Sequence, residues 1–295
     1  MKKLLSILLV GLMLVSLTAC SSKDETKETV TNDKVLTIGA IPDQDAAKLS
    51  RSFGELEKYL SEKVGVKVKY IPSADYAALV TAFERGEMHL AWFGGLTGVQ
   101  ARNLVPDAKA IVQRPMDQEF HAVFIAQKGI NAKSMKDLKG KSFTFGSESS
   151  TSGHLMPRYF LTQSGIDPKK DFNGAPNFSG SHDKTWKLVE SGAFESGVLN
   201  ESVWKKAVKE GKVDLNKVKV VEVTPSFYDY NWTVNSNIDK EFGDGTTVKI
   251  KDALLSLTKD NSSIMEVFQS DKFIETKNEN YAKIYSVAKE LGLVK

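Results

Sequence analysis

Ser142-Phe143-Thr144-Phe145-Gly146-Ser147-Glu148-Ser149-Ser150-Thr151-Ser152-Gly153-His154 carries an apolar run into six consecutive small and polar residues, Ser149 to His154. An apolar-periodic segment follows over 155–164 and stops at Gly165. The order reads as strand, hydroxyl-rich loop, helix N-terminus. A helix's first turn leaves backbone N–H groups without intrahelical acceptors and carries the positive end of the dipole. Short hydroxyls gathered there hold an anion without any lysine or arginine. An ordinary Ser/Thr cap needs only one hydroxyl, and that reading stays open on this stretch alone. Pro157 removes a donor inside the first two turns, so the turn is expected to be irregular.

Outward from this stretch, strand-like and helix-like segments alternate. Strands are expected over 35–40, 66–71, 88–93, 108–113 and 122–126, with helices over 50–63, 75–85 and 97–103. Ser73 stands ready to cap the second of these helices. A second set follows Gln127: helices over 135–138, 155–164, 184–191 and 203–210, strands over 142–145, 193–199 and 218–223. The chain closes with an aromatic-rich strand over 231–234 and helices over 249–258 and 279–291. Alternation of this kind argues for a parallel α/β sheet. The segments Ile41-Pro42-Asp43, Ser73-Ala74-Asp75-Tyr76, Phe93-Gly94-Gly95 and 147–154 all fall in strand-to-helix loops, where open α/β sheets bind ligands.

At the start, Met1-Lys2-Lys3 precedes an almost wholly apolar run over 4–17, and Leu17-Thr18-Ala19-Cys20 closes it. That layout is a secretory signal over 1–19, too short for a span of ~20 residues. Cys20, the single cysteine, stands where a bacterial lipoprotein is cleaved and acylated. Residues 20–33 are polar, charged and free of aromatics, which predicts a lipid-anchored flexible tether. Forty basic residues less Lys2 and Lys3 leave 38 against 37 acidic ones, a mature charge of +1. So even a balance argues against nucleic-acid binding, and attraction for an anion has to come from a local site.

Read in order, Ile38-Gly39-Ala40-Ile41-Pro42, Asp75-Tyr76, Leu90-Ala91-Trp92-Phe93-Gly94-Gly95, Gly146-Ser147-Glu148-Ser149-Ser150-Thr151-Ser152-Gly153 and Phe178-Ser179-Gly180-Ser181-His182-Asp183 resemble the phosphonate/phosphite-type substrate-binding proteins of ABC importers. The likeness extends to members described as selenate binders. It implies a two-lobed clamshell of the second periplasmic-binding class, α/β, with two hinge crossings placed near Gln127 and Thr224. Lobe 1 would comprise 34–127 with 225–295, and lobe 2 would comprise 128–224. The resemblance further implies a small oxyanion ligand, a permease and its ATPase as partners, contact with the membrane through the lipid alone, an extracytoplasmic location and a monomer. Relatives carry an acidic residue where this chain has His89, so His89 is left out of the site.

The candidate ligand-binding residues are Tyr76, Phe93, Ser150, Thr151, Ser152, Gly153, His154, His182 and Asp183. Ser150, Thr151 and Ser152 would donate hydroxyl hydrogens, with N–H groups of Ser152 and Gly153 adding more. Tyr76 would reach across from the opposite lobe, and Phe93 leads into a glycine pair where backbone comes close to ligand. His154 and His182 would each donate a ring proton; Asp183 would accept from a protonated oxyanion or else cap a helix. Phosphonate, phosphite and hydrogen phosphate carry such a proton near neutral pH, whereas sulfate and selenate do not. Ser181, His182 and Asp183 do not make a catalytic triad, because neighbours in an extended stretch point apart. The four histidines, His89, His121, His154 and His182, lack metal-ligand spacing and no Gly-x-Ser-x-Gly elbow occurs. The expectation is a binder without metal or cofactor; an enzyme or a sensor module on the same fold is the alternative of another class.

Overall fold

The computed structural model describes residues 34–294. The signal and the acylated Cys20 expected from the sequence lie outside the described residues. Among the described residues, eleven strands form two sheets. The chain enters the first sheet through β1 (Leu36–Ala40), β2 (Val68–Tyr70), β3 (Leu90–Phe93) and β4 (Lys109–Gln113). It then builds the second from β5 (Ala122–Gln127), β6 (Phe143–Phe145), β7 (Asn177–Phe178), β8 (Ser196–Asn200) and β9 (Val218–Val223). It returns to the first for β10 (Asn231–Val234) and β11 (Ile274–Glu275). The strand orders are β11-β4-β10-β3-β1-β2 and β7-β6-β8-β5-β9.

Both sheets are mixed, which departs from the parallel sheet expected. Pairs β1–β2, β1–β3, β6–β7 and β6–β8 are parallel, as strand–helix–strand units require. The returning strand β10 runs antiparallel between β3 and β4, and β5 runs antiparallel between β8 and β9. These are the strands next to the two passages between sheets. A strand entering from the other lobe meets its neighbours from the opposite end, which local alternation does not register.

Helices α1 (Ala46–Val64), α2 (Tyr76–Glu84) and α3 (Gly95–Leu104) follow β1, β2 and β3; α4 (Met156–Gln163), α5 (His182–Glu190) and α6 (Glu201–Lys209) follow β6, β7 and β8. Asp75, not Ser73, caps α2, its carboxylate accepting the Ala78 N–H at 2.7 Å. The C-terminal helices α7 (Ile238–Phe242), α8 (Thr246–Leu255), α9 (Ser262–Phe268) and α10 (Ala282–Glu290) complete the lobe of the first sheet. Strand β5 shows how a sheet buried on both sides is read: Phe124 and Ala126 join the large core, while Val123 and Ile125 face a second core with Trp186, Leu199 and Trp204.

The two passages run side by side. The first covers 114–121, between β4 and β5, and Gln127 ends β5 inside the second sheet; the crossing therefore comes earlier than the position read from the sequence. The second covers 224–230 and begins at Thr224. Phe120 and Phe227 exchange both backbone bonds at 2.8 and 2.9 Å, and Asp229 N donates to Asp117 O at 3.1 Å. The Arg114-Pro115 step, followed by the polar run Asp117-Gln118-Glu119, is the local signal that the sheet has ended.

Candidate functional site

The carboxyl ends of β1, β2, β3, β6, β7 and β8 and the second crossing converge on one enclosed cluster of polar side chains. Asp43, Tyr76, Ser150, Thr151, Ser152, His182, Asn200, Asp229 and Tyr230 are all buried there. Its floor is the hydroxyl-rich turn. Ser150 caps it, its Oγ accepting the Gly153 N–H at 2.9 Å, and Leu155 N reaches back five residues to Ser150 O at 2.9 Å. The expected irregularity is thus a π turn over Thr151–Leu155 leading into α4. Pro157 has no N–H for the Gly153 carbonyl, and Gly146 N takes that carbonyl instead at 2.8 Å.

Hydroxyl roles follow from these bonds. The Ser150 oxygen already accepts from Gly153, and Thr151 Oγ1 accepts the Leu96 N–H at 2.9 Å across the lobes. Each keeps its hydrogen to donate. At the start of the turn Thr151 and Ser152 are placed where N–H groups have no helical acceptor. The Gly153 N–H, expected to face ligand, is instead spent on the cap. A Cβ on Gly94 would lie 3.2 Å from Thr151 Oγ1 and 3.3 Å from Asp229 Oδ1, so the glycine lets the lobes approach.

Opposite the turn stands a bonded chain. Tyr230 OH donates to Asp43 Oδ2 at 2.8 Å and accepts from Asn200 Nδ2 at 3.0 Å. His182 Nδ1 accepts the Asn200 N–H at 3.3 Å, which places the imidazole hydrogen on Nε2, 3.5 Å from Tyr230 OH. Burial holds the His182 pKa down to about 4, so the ring is neutral at pH 7. The lobes also touch through backbone, His182 N donating to Asp43 O at 3.2 Å.

Three buried polar atoms of this cluster have no hydrogen-bond partner: Asp43 Oδ1, Tyr76 OH and Asp229 Oδ2. Orphan polar atoms are costly inside a protein, and three in one place mark a site built for something polar. Burial pushes the Asp43 carboxyl up to about 6, against the Tyr230 hydrogen bond and the Arg114 charge. It pushes Asp229 up to about 7, against the Gly95 N–H and the hydroxyls of Thr151 and Ser152, with the Asp117 charge adding to the rise. Among the described residues no group of histidine, cysteine, aspartate and glutamate is arranged to hold a metal. The arrangement offers hydroxyl, phenol and imidazole hydrogens on several sides and two carboxyl oxygens as acceptors, without a nucleophile–base pair.

Comparison with known proteins agrees with this chemistry. The family model for the ABC-transporter phosphonate periplasmic substrate-binding protein matches residues 38–281. The chain belongs to that family. A probable ABC transporter phosphite-binding protein, PhnD1 of Prochlorococcus marinus (strain MIT 9301), is 40% identical over 273 residues, covering 90% of this chain and 92% of the relative. The structure of PhnD1 from that organism in complex with methylphosphonate superposes with a TM-score of 0.85, over 88% of this chain and 99% of the other. The phosphate-import protein PhnD of Mycolicibacterium smegmatis is 28% identical over 218 residues, 69% of this chain and 67% of its own. Members of the family are periplasmic binding proteins of ABC transporters, not enzymes.

Within this binding protein the residues named from sequence divide. Tyr76, Ser150, Thr151, Ser152, Gly153 and His182 come together at the cluster. His154 does not: its Nδ1 bonds Glu148 O at 2.7 Å and its ring stands edge-on to Phe145 and Phe178, facing away. Phe93 is a core side chain against Phe83, and only the glycines after it reach the site. Asp183 neither caps the helix nor joins the cluster. Ser181 holds the cap position, and the Asp183 carboxylate in the first turn takes Ser181 Oγ at 2.7 Å and Lys187 Nζ at 3.2 Å. His89 bonds Thr37 and Glu241 elsewhere in lobe 1. Asp43, Asn200, Asp229 and Tyr230 were missed. Asp43 stood in a strand-end loop already singled out, and Asp229 is the lone acid among aromatics in Phe227-Tyr228-Asp229-Tyr230.

A groove of about 750 Å³ at the cleft mouth includes Lys48, Lys206 and Glu266 in its lining; Lys48 pairs with Glu266 at 2.8 Å and Lys206 lies 3.9 Å from Glu210. Unlike the cluster, its lining holds none of the unpartnered carboxyl or phenol oxygens.

Proposed function

We propose that the chain captures a small tetrahedral phosphorus oxyanion that carries a hydrogen: a phosphonate, phosphite or hydrogen phosphate. The cluster between the lobes would hold it, and the closed form would deliver it to the permease. The observation that carries this reading is the pair of orphan oxygens on buried carboxyls, Asp43 Oδ1 and Asp229 Oδ2, beside hydroxyl donors. An acceptor oxygen welcomes a P–OH and repels a fully deprotonated anion. The acceptor role expected of Asp183 thus moves to two other residues and favours phosphorus oxyanions over selenate or sulfate. The methylphosphonate bound by the Prochlorococcus relative supports the same class. Isothermal titration at pH 7 is expected to rank methylphosphonate, phosphite and phosphate at least ~100-fold tighter than sulfate and selenate, the worth of one to two charge-assisted hydrogen bonds. Sulfate or selenate binding as tightly as methylphosphonate overturns the reading.

The two raised carboxyls give binding a pH dependence. A carboxylate accepts only from a ligand oxygen that holds a proton. The ligand's negative charge opposes ionisation of carboxyls whose pKa values stand at about 6 and about 7 in the free protein, so each carboxyl–ligand pair keeps a proton between its oxygens. Protons are taken up, and affinity falls as pH climbs through and above that window. Titrations in buffers of unequal ionisation enthalpy are expected to report net uptake near pH 7; net release contradicts the assignment.

Cleavage before Cys20 and acylation of that cysteine would tether the protein as a monomer to the cell membrane, at its periplasmic face or at the outer cell surface. Intact mass of the mature protein tests this, and a mature N-terminus other than an acylated Cys20 refutes it.

A further inference from the structure

Behind the cluster, in the first crossing, lies a buried ion pair that contributes none of the orphan site atoms. Arg114 Nε and Nη2 donate to the two oxygens of Asp117 at 2.8 and 2.6 Å, and Nη1 donates to Phe268 O at 2.8 Å. The guanidinium carbon lies 4.6 Å from the centre of the Tyr230 ring. That ring also stacks on Trp92 at 5.5 Å and meets Phe120 edge-on at 5.6 Å. A ring held by three neighbours has one direction left for its phenol, which donates to Asp43 at 2.8 Å. The same turn, Pro115–Gln118, accepts the backbone N–H of Asp229 through Asp117 O at 3.1 Å.

We propose that Arg114 and Asp117 are positioning residues for the anion site: the guanidinium orients Tyr230 and through its phenol Asp43, while the Asp117 carbonyl places Asp229. The proposal rests on the binding function argued above. A buried ion pair is seldom retained for stability, since uncharged packing of the same volume often serves as well. This pair has a direction. Its positive end faces Asp43 and favours the ionised carboxylate there, while its negative end disfavours ionisation of Asp229. The other titratable or charged groups around the two carboxyls are Tyr70 at the end of β2, Tyr76 on α2, His182 and Asp183 on α5, Tyr230, and Tyr281 before α10. None of them is a cation at neutral pH. The pair therefore splits the two carboxyls, leaving Asp43 the readier acceptor and Asp229 the readier holder of a proton.

The test uses the full chain with methylphosphonate as probe, titrated across pH for the wild type and two variants. R114M/D117N removes both charges and keeps an oxygen for the residue 114 N–H, which donates to Asp117 Oδ2 at 3.0 Å. R114K keeps the charge and loses the planar fork. R114M/D117N is expected to stay folded and to bind at least ~10-fold more weakly, with the two titration steps of the affinity profile merging toward one. R114K is expected to weaken binding ~3-fold or more with both steps retained. A folded R114M/D117N with wild-type affinity and an unchanged profile overturns the proposal. Should that variant not fold, R114K decides alone, and affinity equal to the wild type overturns it. A wild type that does not bind methylphosphonate instead defeats the functional reading, which separates the two failures.

Discussion

Exchanging both site carboxyls for amides, D43N/D229N, is expected to cost methylphosphonate binding ~100-fold or more and to bring sulfate to comparable affinity. Each carboxylate that accepts a ligand hydroxyl contributes about 1.5–3 kcal/mol, or roughly one to two powers of ten in affinity. An amide has nearly the same shape but turns one acceptor into a donor, which a fully deprotonated anion prefers. The Tyr230 phenol, now donating to Asp43 Oδ2 at 2.8 Å, keeps an oxygen to bond in the variant. The ligand-free variant should also melt higher than the wild type at pH 7 and above. Both carboxyls have pKa values raised to about 6 and about 7, so ionising them in the folded state works against folding as pH rises through that window. Calorimetry with both anions and a thermal melt measure all of this. Retained preference for methylphosphonate over sulfate removes the carboxyls from the account.

Gly153→Ala has the second largest expected effect. A Cβ there would meet Ser150 Oγ at 2.9 Å, Gly146 Cα at 3.1 Å and His182 Cε1 at 3.1 Å. Neither the neighbouring backbone nor the enclosed imidazole gives way cheaply, and overpacking of this kind costs about 1–3 kcal/mol. The same methyl pushes the capping hydroxyl and His182 apart, so binding should fall ~100-fold, beyond what lost stability alone explains. Gly54→Ala is the control. It lies within α1 with nothing inside 4 Å of where the new methyl would sit, and should stabilise by about 0.5–1 kcal/mol with binding unchanged. Equal affinity in G153A and G54A would separate Gly153 from the site.

What was legible in the sequence was local. The turn over 150–153 announced itself because hydroxyls, a glycine and a strand-to-helix transition are neighbours along the chain. Strands 218–223 and 231–234 match β9 and β10 because β-branched and aromatic runs need only their own residues to declare themselves. What was not legible depends on the opposite lobe. Asp43 reads as a loop acid and Asp229 draws no notice until burial from across the cleft leaves an oxygen of each without a partner. His154 and His182 both follow a small residue, yet a π turn rotates one toward Phe145 while the other is drawn inward by Asn200 and Tyr230. Two histidines with like contexts thus part by geometry. Mixed sheet order escaped for a related reason, since the direction of β5 and β10 depends on where the chain has just come from.

A crystal structure with methylphosphonate tests the central claim most directly. It should place phosphonate oxygens within about 2.5–3.2 Å of Asp43 Oδ1, Tyr76 OH and Asp229 Oδ2, with the Ser150 and Thr151 hydroxyls donating from the turn. Methylphosphonate seated instead in the groove beside Lys48 and Lys206, with the three orphan atoms still untouched, would contradict it.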